Sequence, residues 1–153
     1  MNEGLDKREI KFSNAVLIPE IIALLDEGHT VTLQLKGFSM RPFLEDGRDK
    51  ALLVKAKKIS VGIPVLAVVD DGRYVLHRIV KIQGDDVTLR GDGNLGVEHC
   101  KVADVKAEAI GFYRKGRDVM DKTNGFKWLF YSFLWMRLLP IRRYLLAIYR
   151  RIK

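Results

Sequence analysis

At 153 residues the chain is about the size of one domain, with room for a single core and one appendage. One cysteine excludes both an internal disulfide framework and a multi-cysteine zinc site. The net charge of +8 is unevenly placed: residues 1–113 hold 16 Lys+Arg against 17 Asp+Glu, whereas residues 114–153 hold 11 against only Asp118 and Asp121. The basicity therefore belongs to the tail and describes what the tail touches.

The chain opens Met1-Asn2-Glu3-Gly4-Leu5-Asp6, polar and without the apolar segment of a signal peptide, so none is expected. Helical spacing of Leu17, Ile21, Leu24 and Leu25 predicts a helix from Ser13 to about Glu27, with Ser13 or Asn14 as N-cap and Gly28 as terminator. Alternation in Val31-Thr32-Leu33-Gln34-Leu35-Lys36 then predicts a half-buried strand, which Gly37-Phe38-Ser39-Met40-Arg41-Pro42 breaks. After the polar loop Glu45–Asp49, strands are expected at Ala51–Val54 and Val65–Val69, the latter closed by the hairpin signal Asp71-Gly72. Arg73–Ile82 is the return strand, and Gly84-Asp85-Asp86 turns it into Val87–Arg90. Residues 99–113 supply one or two more strands, with Gly111 at a bulge or corner. Cys100 reads as a small packed hydrophobe, while His29 and His99 read as surface residues. Short strands with a turn every eight to twelve residues predict a mainly β fold, a coiled sheet or partly open barrel, with an N-terminal helix and a C-terminal helical tail. The expected divisions are residues 1–30, 31–117 and 118–153.

Three segments carry chemistry. A serine exposed by a turn at a strand end can meet a substrate carbonyl, although turn chemistry explains Gly37–Pro42 equally well when taken alone. Val75-Leu76-His77-Arg78-Ile79-Val80 places a histidine on an apolar strand, where it is either a satisfied core residue or a base. Leu89-Arg90-Gly91-Asp92-Gly93-Asn94 sets an aspartate on a tight turn. GFSMRP, VLHRIV and LRGDGN, in that order and spacing, resemble the LexA/signal-peptidase-like serine peptidases, most closely the signal peptidases that use Ser and His instead of Ser and Lys. The resemblance spans about residues 31–113. It implies a fold of the LexA/signal peptidase type and a serine endopeptidase acting by acyl transfer on an extended peptide or precursor protein. Ser39 would be the nucleophile, His77 the general base and Asp92 the acid that orients the imidazole, with the Ser39 backbone N–H as oxyanion donor. Neither cofactor nor metal is implied. Substrate would pair as an added strand with edges near Lys36–Ser39 and Tyr74–His77. Arg78 and Arg90, beside these positions, read as formers of weak surface ion pairs at the sheet edge. The competing reading is a noncatalytic or self-processing peptide-binding module of the same fold.

The tail is of different composition. Trp128, Phe130, Tyr131, Phe133 and Trp135 crowd one stretch, Pro140 separates two helices, and Ile141, Tyr144, Leu145, Ile148 and Ile152 form an apolar stripe with Arg142, Arg143, Arg150 and Arg151 off it. Phe126–Pro140 is shorter than the roughly 20 residues a membrane span requires, and it contains Lys127 and Arg137. Aromatics beside arginines suit an anionic membrane surface, so residues 125–153 are expected to hold the protein there, on the cytoplasmic side. Docking on the protein's own sheet or on a partner protein is the alternative. Nucleic acid is disfavoured, because only one convincing helix precedes residue 31 and a helix-turn-helix needs two.

Overall fold

The computed structural model describes residues 8–11, 18–35 and 39–152. Its strands are β1 (Arg8–Lys11), β2 (Val31–Gln34), β3 (Lys50–Lys55), β4 (Pro64–Val68), β5 (Tyr74–Gln83), β6 (Asp86–Arg90), β7 (Glu98–Lys101), β8 (Val105–Tyr113) and β9 (Met120–Lys122). Helix α1 (Ile18–Asp26) precedes β2, and α2 (Phe126–Arg137) and α3 (Arg142–Ile152) close the chain around a short turn, Leu139–Ile141. The strands form one sheet in the order β1-β2-β3-β8-β4-β5-β6-β7, with β9 also on β8. All pairs are antiparallel except β1 with β2. The sheet curls into an open half-barrel, the mainly β architecture that the spacing of turns predicts.

The period of two decides which side chains go where. In β2, Val31 and Leu33 are fully buried while Thr32 and Gln34 are half-exposed. On one side of the sheet Ile18, Ile21 and Leu25 of α1 pack with Leu33, Leu53, Leu76, Phe112 and Trp128. On the other, Val65, Ala67, Val75, Ile79, Val87, Leu89 and Cys100 form a second core. Burial of each large apolar side chain contributes about 1.5–3 kcal/mol before the entropy of ordering it is subtracted. Burial raises the Cys100 thiol to about 11, so it stays protonated and packs as a small hydrophobe.

Helix α1 ends as Gly28 predicts. Gly28 takes a φ of 95°, its N–H reaches Leu25 and that of His29 reaches Leu24, which together satisfy the last carbonyls. The proposed caps Ser13 and Asn14 lie outside the described residues, as do Lys36, Gly37 and Phe38. Residues 99–113 resolve into two strands, β7 beginning one residue earlier at Glu98. Gly111 lies at the irregularity where β8 loses register with β3, and a side chain there would collide with Met120 of β9. Strand β1 was not expected from the sequence.

Candidate active site

Strand β5 carries His77 and Arg78 side by side, both buried, and alternation sends them to opposite faces. His77 follows Val75 and precedes Ile79 on the face of the second core. Its Nδ1 lies 2.8 Å from a carboxylate oxygen of Glu98, at the start of β7. A carboxylate acceptor at Nδ1 places the neutral ring's proton there and leaves Nε2 as an acceptor. Burial lowers the His77 pKa below its ordinary 6.5, against the pull of the Glu98 charge, so the ring is neutral at pH 7.

The turn bearing Ser39 meets this ring across Gly91. A β-carbon on Gly91 would stand 3.0 Å from His77 Nε2 and closer still to the Ser39 carbonyl oxygen, with Asn94 Nδ2 at 2.8 Å. The glycine is therefore required for close approach, because any side chain would enter the space shared by the serine turn and the imidazole. The same loop fixes the turn: the Gly93 N–H donates to the Ser39 carbonyl at 2.7 Å, and the Asp92 N–H points to the Met40 sulfur at 3.4 Å. Met40 is buried and Ser39 half-buried. The Ser39 backbone carbonyl and the His77 ring, 38 residues apart in sequence, thus both border Gly91.

Asp92, expected to orient the imidazole, is engaged elsewhere. Its two carboxylate oxygens accept from Arg78 Nε at 2.8 Å and Arg78 Nη2 at 2.7 Å, a bidentate pair in which both residues are 1% exposed. Tyr131 of α2 donates to the same carboxylate at 2.5 Å, and Trp135 Nε1 donates to the Asp92 backbone carbonyl at 2.9 Å. Arg78 also donates to the Gly62 carbonyl and to the Ser132 hydroxyl, and its guanidinium lies 4.7 Å from the Trp128 ring centre. Burial opposes the Arg78 charge, yet the Asp92 carboxylate overrides it and raises the pKa. The expectation of a weak surface pair at Arg78 is corrected accordingly: this is a fully buried ion pair roofed by the tail. The place expected for Asp92, at His77 Nδ1, belongs to Glu98.

The tail also divides differently from its composition. Trp128, Ser132 and Trp135 of α2 and Arg142 and Leu146 of α3 are buried. Arg142 donates to the Trp135 carbonyl at 2.8 Å, and the Tyr149 hydroxyl bonds to the buried Glu45 carboxylate, in the loop after Ser39. Phe126, Leu129, Phe130, Phe133 and Leu134 of α2 face outward, with Ile141, Tyr144, Ile148 and Ile152 further on. Of the stripe, Ile141, Tyr144, Ile148 and Ile152 thus point to solvent while Leu145 is half-buried, and the first arginine of α3 turns inward. Among the described residues no helix is long and apolar enough to cross a membrane.

Glu98 belongs to none of the three motif segments, yet the sequence carries a signal for it. Once Cys100 is assigned inward, period two puts Glu98 on the same face, and an inward carboxylate near an inward histidine is unusual. The edge of β5 is also informative. Strand β6 pairs with β5 only from Arg78 onward, whereas Tyr74–His77 pair with β4 alone. The bonds Val69 N–H to Arg73 and Ile79 N–H to Ile63 set the ladder's phase, so the backbone groups of Tyr74 and Leu76 turn away from β4. Among the described residues no set of three or more His, Cys, Asp or Glu side chains is grouped to hold a metal. The chain matches no protein-family model and no curated protein.

Proposed function

We propose that the protein is a serine endopeptidase of the signal-peptidase-like type, with Ser39 as nucleophile, His77 as general base and Glu98 as the carboxylate that orients the imidazole. The observation that carries this reading is the His77 ring itself. It is buried and neutral, held at Nδ1 by Glu98, with Nε2 beside the Ser39 turn across the glycine gap.

In this mechanism His77 Nε2 takes the proton from the Ser39 hydroxyl as the oxygen attacks the scissile carbonyl carbon. Glu98 stabilises the imidazolium so formed, and the Ser39 backbone N–H donates to the oxyanion. His77 then returns the proton to the leaving amine, and water, activated by the same base, hydrolyses the acyl-enzyme. The substrate is an extended peptide whose backbone pairs with the open edge of β5 at Tyr74 and Leu76.

The same reading holds the enzyme at an anionic membrane surface through the outward faces of α2 and α3. From Lys122 onward the chain has no carboxylate side chain, while Lys127, Arg137, Arg143, Arg150 and Arg151 border exposed phenylalanines, leucines and isoleucines. Truncating the tail would remove buried Trp128 and Trp135 as well, so Phe130→Ser with Phe133→Ser tests this attachment more cleanly.

The experiment is cleavage of a mixed library of unstructured peptides, with products identified by mass. Specific cuts by the wild-type chain that vanish in Ser39→Ala are expected. A folded wild-type protein that retains peptides without cutting any would favour the noncatalytic binding module instead.

A further inference from the structure

We infer that helix α2 is a working part of the catalytic scaffold: Trp135 and Tyr131 are positioning residues that hold Ser39 in place through the Gly91–Asn94 loop. The inference rests on the peptidase reading for its catalytic consequence, but the mechanical linkage stands on geometry alone.

The linkage is a short chain of bonds. Indole Nε1 of Trp135 donates to the Asp92 carbonyl at 2.9 Å, and the Tyr131 hydroxyl donates to the Asp92 carboxylate at 2.5 Å. The next residue, Gly93, donates its N–H to the Ser39 carbonyl at 2.7 Å, and the Asp92 N–H meets the sulfur of Met40. Helix α2 thus touches the loop, and the loop touches the backbone of the proposed nucleophile. The loop needs such support because it contains Gly91 and Gly93, the residues with most backbone freedom to lose, and Gly91 cannot be replaced by a stiffer residue without filling the site.

Trp135 is itself held. Its ring lies 5.0 Å from the Arg142 guanidinium, and Arg142 donates to its carbonyl. Tyr131 stacks on Phe43 at 4.7 Å between ring centres, and Phe43 is four residues after Ser39. The loop after Ser39 is reached from α3 as well, by the Tyr149 bond to Glu45. Both tail helices therefore contact segments flanking the serine, on faces opposite to their exposed apolar side chains. An indole or phenol donor reaching a carbonyl or carboxylate gives directional restraint that a purely apolar contact would not.

Trp135→Phe and Tyr131→Phe remove one donor each and retain an aromatic ring in the same packing. Two readouts are needed. The first is amide hydrogen exchange in the full chain. In Trp135→Phe the Gly93 amide should exchange about tenfold faster, the equivalent of one net hydrogen bond, with core amides such as Leu53 and Val65 unchanged. The second is peptide cleavage: kcat should fall by a similar factor while KM holds, since the substrate edge on β5 is untouched. Unchanged Gly93 exchange would overturn the linkage, and so would acceleration spread equally over the core amides, which signifies general destabilisation. Faster Gly93 exchange with undiminished kcat would overturn the positioning role. A wild-type chain that cleaves nothing would count against the peptidase reading instead, and the exchange experiment would still decide whether α2 restrains the serine turn.

Discussion

His77 and Arg78 are neighbours on one strand, both buried, each with a carboxylate partner, and the proposed mechanism gives them opposite parts. Arg78 with Asp92 is sealed: both side chains are 1% exposed, and Tyr131, Ser132, Trp128 and the Gly62 carbonyl complete its surroundings. His77 with Glu98 is open on one side, since Glu98 retains 19% exposure and Nε2 looks across Gly91 toward the serine turn. A closed ion pair with its hydrogen bonds satisfied is a structural lock. A buried imidazole with one nitrogen committed and the other available is suited to moving a proton. Burial and a carboxylate neighbour are therefore common to structure and chemistry, and the uncommitted nitrogen is what separates them.

Substitution should separate the two pairs cleanly. His77→Ala should lower peptide cleavage by about 10⁴-fold or more, as loss of a general base does, while the chain still folds cooperatively. Arg78→Met should do the reverse in kind. Removing one partner of a buried ion pair costs about 3–5 kcal/mol because it leaves the other charge uncompensated, so Arg78→Met should unfold at far lower denaturant and lose activity with the fold. Asp92→Asn belongs with Arg78→Met, for the same reason.

Glu98→Gln sharpens the contrast by keeping size and removing charge. The amide NH₂ can donate to Nδ1, which moves the ring proton to Nε2 and presents the wrong tautomer to the serine. Cleavage should fall by about tenfold to 10⁴-fold, with the upper limit set by complete loss of the correct tautomer. Stability should hardly change, because the site is partly exposed.

The pH dependence is the subtlest difference. The folded-state pKa of His77 is lowered, chiefly by burial, so activity should rise as the ring deprotonates below pH 6.5 and stay level above it. Stability moves in the same sense. The unfolded chain binds the proton more readily, so stability is fully present above pH 6.5 and is lost as pH falls toward the lower folded value. His77→Ala should remove that increment from the stability profile, and unfolding measured across pH 5–7 in both proteins checks it.

Much of the sheet was legible because strands with one covered face must alternate, and Val31–Gln34, Lys50–Lys55 and Asp86–Arg90 do. Gly28, Gly84 and Asp71-Gly72 mark their boundaries by backbone chemistry that few other residues supply. Strand β1 is not legible: Arg8-Glu9-Ile10-Lys11 is short and charged, and each of its residues pairs in parallel with one 23 positions onward. Ser39 and His77 stand out only through the ordered resemblance of their segments, since each segment alone reads as a turn or a core strand; Gly91 borders both the Ser39 carbonyl and the His77 ring. Asp92 was assigned the wrong partner, since a turn aspartate reads the same whichever side chain it holds. The burial of Arg78 and the inversion of the α3 stripe share one cause. Both depend on which tail face docks on the sheet, and aromatics on both faces of α2 leave that choice to tertiary contacts.

The most direct measurement is covalent labelling of the folded chain by a serine-reactive acylating probe, located by peptide mass. A single adduct on Ser39 is expected, absent in Ser39→Ala, strongly slowed in His77→Ala and slowed less in Glu98→Gln. Absence of an adduct on folded wild-type protein at every pH between 5 and 9, or equal labelling of Ser39→Ala, would contradict it.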